Sequence, residues 1–398
     1  ADVQNPAYSH VFLDEFQDAT DEQYALVKEA FTGSGATLTA VGDVKQRIMA
    51  WAGALDGILQ TFSDDFAAAP MPLYQNFRSA PRLRRMQNRM IAQMDPVAAS
   101  DANSIVGEDG IVDVLAFDTD VEEAERIADK IQEWLNNGVE PAEIAILVRQ
   151  QPHLVAATLS EVLTERGIPF RNEQTSQDLN AEPAATLVFN FLRVIADERQ
   201  AAAYTELMRV AARSDASEEE SLRFDRQLKR LIQDARKSFR DFNGQETGLT
   251  FWRDWVKKLN DLVSRPVLIA LSPGYQQGSR LEDVIDKALN AFEETLRLDG
   301  DATAAVRRLS ESDAIRILTI HKSKGLEFEH VIVLGVERDL FWGNPQDSIS
   351  EFFVAISRAK NHLVLTRAGY RECPIGHTGR WERYRTAHLE FLGFATEG

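Results

Sequence analysis

Residues 10–18, HVFLDEFQD, constrain this chain more than any other stretch: an apolar run, Val11-Phe12-Leu13, delivers Asp14 and Glu15 at its end, with Gln17 and Asp18 just behind. A continuous run of this kind reads as a strand buried on both faces, and the carboxyl edge of such strands is where α/β sheets place ligand-binding groups. This is the form of a Walker-B element. One carboxylate there can hold Mg²⁺ on a nucleotide, and a second can take a proton from an attacking water. The plainer alternative is that Asp14 or Asp18 caps the helix suggested by DATDEQYALVKEAF.

Four further blocks follow in order. LTAVGDVKQRIMAWAGA (38–54) is a second apolar strand ending in Gly42-Asp43, with Gln46 placed to sense a γ-phosphate and Trp51 beyond it. In LYQNFRS (73–79), Arg78 is a forked donor suited to phosphate and Phe77 a flat surface suited to a base. The last two are ILTIHKSKGLEFEHVIVLGV (317–336) and EFFVAISRAKNHLVLT (351–366).

Together the five blocks resemble the UvrD/Rep-type helicases of superfamily 1, over nearly the whole chain apart from roughly residues 200–300. The resemblance implies an α/β fold with RecA-like P-loop NTPase motor domains, parallel sheets and a helical insertion, and it implies ATP and Mg²⁺ as cofactors. Asp14 matches the Mg²⁺ carboxylate, Glu15 the catalytic base, and Gln46 the glutamine linking the γ-phosphate to the DNA site. Arg78 and Arg358 match the two arginines that reach the γ-phosphate, Phe77 the aromatic that stacks on adenine, and Glu327 the glutamate near the nucleotide sugar, with Gln17 on the same nucleotide side. Thr319, His321 and Trp51 lie where the family touches single-stranded DNA.

The chemistry supports these roles independently. Phosphoryl transfer to water needs positioning and charge neutralisation, and an added arginine is worth several orders of magnitude in rate. Arg78 and Arg358 are so distant in sequence that they converge only across a folded interface, which implies a cleft closing on ATP. The plainer alternative for Arg358 is a surface position in the helix VAISRAK, and for Trp51 a core tryptophan.

One element is missing. A P-loop needs G-x-x-x-x-G-K-[ST], and the sequence holds no Gly-Lys dipeptide. Gly33-Ser34-Gly35 reads instead as a helix stop and turn. The family carries its P-loop upstream of the carboxylate strand, and this chain starts at Ala1, shortly before that strand. The expectation is a C-terminal portion of a longer polypeptide, or a chain completed by a partner that supplies the P-loop. The alternative is a natural P-loop-less relative acting as a scaffold for DNA or a partner subunit. A third reading is an ATP-gated nucleic-acid sensor or defence effector. The DNA side departs from the family pattern: Met49 replaces a usual aromatic and Ala52 a usual arginine, which thins stacking and phosphate contacts.

Composition adds bounds. The 398 residues suffice for two or three domains. One cysteine, Cys373, excludes an internal disulfide, and with no signal or membrane-length apolar stretch the reading is cytoplasmic, without a membrane partner. A net charge of −18 argues against a generally nucleic-acid-sticky surface, so any track for single-stranded or partly duplex DNA is a local basic groove. RLRRMQNRM (82–90) and LRFDRQLKRLIQDARKSFR (222–240) could face DNA or be solvated helix faces.

The expected organisation is a rear part of a first motor domain over 1–98, the first segment of a second motor domain over 99–182, a helical insertion over 183–308, and the second segment of that domain over 309–398. Within it, EIAILVRQ (143–150) reads as a buried strand, LVAATLSEVLTERGIPF (154–170) as one helix ended by Gly167 and then an edge strand with Pro169, and SPGYQQGS (272–279) as a loop. The expected activity is ssDNA-stimulated ATP hydrolysis with 3′→5′ movement.

Overall fold

A computed structural model of the chain describes residues 8–49, 52–73, 76–173, 179, 182–197, 199–211, 218–241, 249–276, 278–309, 314–374, 377 and 379–396. Two compact units emerge, one of residues 1–127, 144–158 and 318–398, the other of residues 128–143 and 159–317.

In the first unit, β1 (His10–Leu13) and β2 (Thr37–Ala40) form a parallel pair with Val11 opposite Leu38 and Leu13 opposite Ala40. Only one face of this pair is packed: Leu13, Leu38 and Ala40 lie on Phe16, Tyr24, Ile58 and Phe62. The expected strand buried on both faces is therefore corrected to an alternating one, and Phe12 is 74% exposed. With a period of two, a single covered face buries every other residue. Thr20 caps α1 (Asp21–Phe31) through a capping box with Gln23, so neither Asp14 nor Asp18 performs that task. Gly33 and Gly35 take positive φ after α1, in the turn expected there. α2 (Ile58–Phe66) supplies Ile58 and Phe62 to the small core.

α3 (Pro81–Met94) opens with proline at its first turn and buries Leu83, Met86, Gln87 and Met90. β3 (Ile111–Thr119) runs into α4 (Asp120–Asn136), and β4 (Ile144–Val148) is buried at every residue, as a central parallel strand should be. The helix expected after β4 is two helices, α5 (Pro152–Val155) and α6 (Ala157–Glu165), broken at Ala156. β5 (Phe170–Asn172) follows Pro169 and lies at a sheet edge, where a proline is tolerated. The larger sheet is completed by β6 (Ile315–Thr319), β7 (Phe328–Val333) and β8 (Ala359–Tyr370), in the order β3-β8-β7-β4-β6-β5. The β3–β8, β8–β7, β7–β4 and β6–β5 pairings are parallel. α14 (Pro345–Ile356) precedes β8 and is buried along its last turns.

Between β5 and β6 the chain is helical: α7 (Pro183–Ala196), α8 (Ala201–Ala211), α9 (Glu218–Asp241), α10 (Leu249–Val263), α11 (Arg265–Ala270), α12 (Arg280–Asp299) and α13 (Ala302–Leu309). Their shared core centres on Phe191, Trp252, Tyr275 and Phe292. The loop read at 272–279 is pinned inward by Tyr275, whose hydroxyl donates to Glu182 at 2.6 Å and accepts from the Ala184 amide at 3.2 Å. Among the described residues no helix is long and apolar enough to cross a membrane.

Candidate nucleotide and nucleic-acid site

The first unit holds all the described nucleotide-site candidates of this chain. At the end of β1 the chain turns sharply. Glu15 sits at φ 49°, ψ 36°, a left-handed conformation that disfavours a residue with a Cβ by about 1–2 kcal/mol. The Phe16 amide then docks on the Val41 carbonyl at 2.9 Å, and buried Gln17 turns under the carboxylates. Gln17 donates to Glu15 Oε2 at 2.6 Å and accepts from the Asp43 amide at 3.0 Å, tying the ends of β1 and β2 together. Gly42 gives it room, because a Cβ there would lie 2.4 Å from the Gln17 side-chain oxygen and Gln17 would have to shift. Gln17 is thus a strut for the carboxylates, a role sequence alone did not assign.

Asp43 caps a short 3-10 turn over Val44–Gln46 by accepting from the Lys45 amide at 3.1 Å. Its other oxygen accepts from Gln46 Nε2 at 3.0 Å, which presents the Gln46 carbonyl outward. That carbonyl receives Arg358 Nη2 at 2.8 Å. Arg358 follows α14 in the turn into β8 and is 2% exposed, so the reading of a surface helix position does not hold. Its remaining hydrogen bonds go to the carbonyls of Val354 and Leu326 and the hydroxyl of Ser357. All are neutral oxygens; among the described residues it makes no ion pair. Burial, reinforced by the nearby Arg78 charge, pushes its pKa down to about 10.

Arg78 reaches the same turn. It donates to the Ser357 carbonyl at 3.2 Å and to Glu327 at 2.7 Å, and Lys360 flanks Glu327 at 3.3 Å. The Arg78 hydrogen bond foremost, with Lys360 behind it, holds the Glu327 carboxyl below its usual range. Phe77 is 82% exposed, an open aromatic face next to Arg78 in sequence. Asp14 is exposed and accepts the Glu15 amide at 2.9 Å.

Lys324 completes the cluster and went unnoticed in the sequence, although it stands in the HKSKGLEF block. Its ammonium bridges Asp18 and Glu15, the latter at 3.1 Å. Burial raises the Glu15 carboxyl, but the Gln17 amide, Lys324 and Arg358 together outweigh it, and the net shift is downward. The site therefore has an ionised carboxylate, a glutamine carbonyl and three cations within one unit. Among the described residues no group of three or more His, Cys, Asp or Glu side chains could hold a metal ion. Asp14 fits Mg²⁺ only as one ligand beside phosphate oxygens and waters, which is how that ion is commonly held.

The nucleic-acid side is less complete. His321 Nε2 lies 3.1 Å from the Ile48 carbonyl, just beyond Gln46, and 3.6 Å from Glu351, which Arg149 also holds. Thr319 accepts the Lys322 amide at 3.2 Å. Trp51 lies outside the described residues. In the first basic stretch, Arg82 and Arg85 pair with Glu108 and Arg89 donates to the Phe394 carbonyl. In the second, Leu228, Ile232 and Ala235 are buried while Arg223, Arg226 and Arg230 are exposed, an amphipathic helix face.

Comparison with known proteins fits this geometry. The model of the UvrD-like helicase C-terminal domain matches residues 71–222 and 228–370, and that of the UvrD/REP helicase N-terminal domain matches residues 2–67. DNA helicase II of Haemophilus influenzae is 25% identical over 92% of this chain and 56% of its own length. DNA helicase II of Escherichia coli is 24% identical with the same coverage, and ATP-dependent DNA helicase Rep of Escherichia coli is 25% identical over 90% of this chain and 60% of its own. The chain thus spans a little over half the length of these relatives. With the family model covering most of the chain and the carboxylates, glutamine and arginines of its motifs gathered in one unit, the chain belongs to the UvrD-like helicase family.

Proposed function

We propose that this chain is part of an ATP-dependent DNA helicase or translocase, with ATP hydrolysis stimulated by single-stranded DNA and movement 3′→5′. The observation that carries the reading is Arg358: a buried guanidinium hydrogen-bonded only to neutral oxygens, beside Arg78 and in contact with Gln46. Glu15, Glu327 and Asp43 favour its charge only through space, without a direct ion pair, so the buried guanidinium is incompletely compensated and an incoming polyphosphate supplies the missing charge. Arg358 and Arg78 then stabilise charge on the transferring phosphoryl group. Glu15, kept ionised by Gln17 and Lys324, accepts the proton of the attacking water. Asp14 is the protein ligand for Mg²⁺, which when bound neutralises phosphate charge. Phe77 offers its open face to the base, Glu327 stands toward the sugar, and Gln46 passes the state of the phosphate site to the strand held near Thr319, His321 and Trp51.

In this reading residues 1–98 are the rear part of a first motor domain, 99–182 and 309–398 a second, and 183–308 its helical insertion. The phosphate cradle comes from a segment outside this sequence, on the same polypeptide or a partner. The want of a Gly-Lys dipeptide also favours a second reading, a helicase-like scaffold that binds DNA without hydrolysis. ATP hydrolysis by the natural polypeptide, with and without single-stranded DNA and beside Glu15→Gln, separates the two. DNA-dependent turnover lost in Glu15→Gln supports the motor; turnover absent from the natural polypeptide, or indifferent to Glu15, replaces it with the scaffold.

A further inference from the structure

Gln87 lies on α3, eight residues beyond the LYQNFRS block, and is 3% exposed. Its side-chain oxygen accepts from Asn76 Nδ2 at 2.7 Å, and the Asn76 oxygen in turn accepts the amides of Arg78 and Ser79 at 2.9 and 3.2 Å. Its amide nitrogen donates twice, to Ser79 Oγ at 3.1 Å and to the Ile356 carbonyl at 3.2 Å. The Ser79 hydroxyl in turn donates to the Ala359 carbonyl at 2.7 Å, and the Ala80 amide donates to the Lys360 carbonyl at 2.7 Å. Ile356 ends α14, where helix carbonyls lack intrahelical donors, and Arg358 stands between the two carbonyls so engaged.

We infer that Gln87 is a positioning residue that holds the Arg78 loop and the Arg358 turn in one fixed relation, so that both guanidiniums meet the same phosphoryl group. The inference rests on the proposed role of the two arginines in ATP hydrolysis. A buried amide using three of its four hydrogen-bonding valences is costly to leave half-satisfied, and it locks both segments because each depends on the same side chain. Gln87 touches neither arginine side chain nor any group that would meet the nucleotide. Its effect is on geometry alone.

The test is Gln87→Leu, similar in size but without the amide. In the natural polypeptide that carries this chain, kcat for DNA-stimulated ATP hydrolysis should fall about tenfold or more while KM for ATP changes much less, because misplacement is felt in the transition state. In an Arg358→Ala background the same change should cost little further, since the geometry it protects is already lost. Amide exchange in this chain should rise together at residues 78–80 and 357–360. Ser79→Ala, which removes the Gln87–Ser79–Ala359 arm but leaves the Gln87 bonds to Asn76 and Ile356, should give the same pattern in weaker form and serves if Gln87→Leu folds poorly. If Arg358→Ala is inactive but Gln87→Leu keeps its kcat, or loses it additively with Arg358→Ala, the positioning role is overturned. If Arg358→Ala itself keeps full turnover, the reading of the site fails instead.

Discussion

Arg358 donates to the side-chain oxygen of Gln46 at 2.8 Å across 312 residues of sequence. Gln46 is oriented by Asp43, which also receives the Lys45 amide and whose own amide bonds to Gln17, and Gln17 holds Glu15. A continuous chain of hydrogen bonds therefore runs from the carboxylate at the end of β1 to the guanidinium after α14. Glu15 and Arg358 are thus linked through Gln46, Asp43 and Gln17 as well as by the direct influence of the guanidinium charge on the carboxyl.

Replacing either arginine should abolish function without unfolding the chain. Arg358→Ala or Arg78→Ala is expected to lower DNA-stimulated ATP turnover by about 10³-fold or more. Arg358→Lys should not restore it, because one ammonium cannot meet Gln46 and the Val354 and Leu326 carbonyls in the same plane. Steady-state hydrolysis measures this, and a loss of less than about tenfold would remove the arginines from the mechanism.

The Glu15 carboxyl titrates below its ordinary value in the folded state, against the effect of burial, because Gln17, Lys324 and Arg358 favour its charge. A lowered folded pKa contributes stability that is present above the ordinary carboxyl range and lost as pH falls through the folded value. Urea midpoints of the native chain and Glu15→Gln should therefore differ by a constant amount near neutrality and converge as the solution is acidified below the ordinary pKa. Lys324→Ala should move the convergence to higher pH. A gap that widens in acid contradicts the assignment.

Gly42→Ala would place a methyl group 2.4 Å from the Gln17 oxygen and 3.0 Å from its amide nitrogen. Gln17 must then shift, releasing the Asp43 amide and Glu15. Overpacking of this kind costs roughly 1–3 kcal/mol, readable as a lower urea midpoint at unchanged slope. Turnover should fall with it; an unchanged midpoint would mean the β1 and β2 ends are looser than the hydrogen bonds imply.

Phe77→Ala should separate binding from folding. The ring is exposed, so its removal is expected to change stability by no more than about 0.5 kcal/mol. Loss of stacking should weaken ATP binding by roughly 1–3 kcal/mol with little effect on kcat. Equilibrium titration with a fluorescent ATP analogue reads the first quantity, and undiminished affinity would place the base elsewhere.

Arg371 makes the opposite bargain to Arg358. It is buried against Glu123 and Glu337, which outweigh the effect of burial and push its pKa upward. Arg371→Met would leave two carboxylates buried without their cation, and breaking such a pair typically costs about 3–5 kcal/mol. Chemical denaturation should show this loss, while Arg371→Met with Glu123→Gln and Glu337→Gln recovers part of it.

Local features were legible because the information they need is local. The strands ending in carboxylates, the Gly33 turn, the edge strand after Pro169 and the helical character of 183–308 follow from period, propensity and turn chemistry. Three readings went astray for the same kind of reason. Phe12 is exposed because burial of a strand face depends on what covers it. Thr20 rather than Asp14 or Asp18 caps α1 because the carboxylates are engaged elsewhere, Asp18 by Lys324. The helix after β4 breaks at Ala156 with no glycine or internal proline to announce it.

The sequence by itself determined which groups are candidates, since side-chain chemistry, spacing and family resemblance travel with the chain: Asp14, Glu15, Gln46, Arg78, Glu327 and Arg358 could all be named from it. Only the tertiary structure decided how they are held. That Lys324 reaches Glu15, that buried Arg358 donates to Gln46, and that Gln87 ties both arginine segments are consequences of chain crossings more than 250 residues long. Hydrogen bonds and desolvation act over a few ångströms of space and take no account of sequence distance.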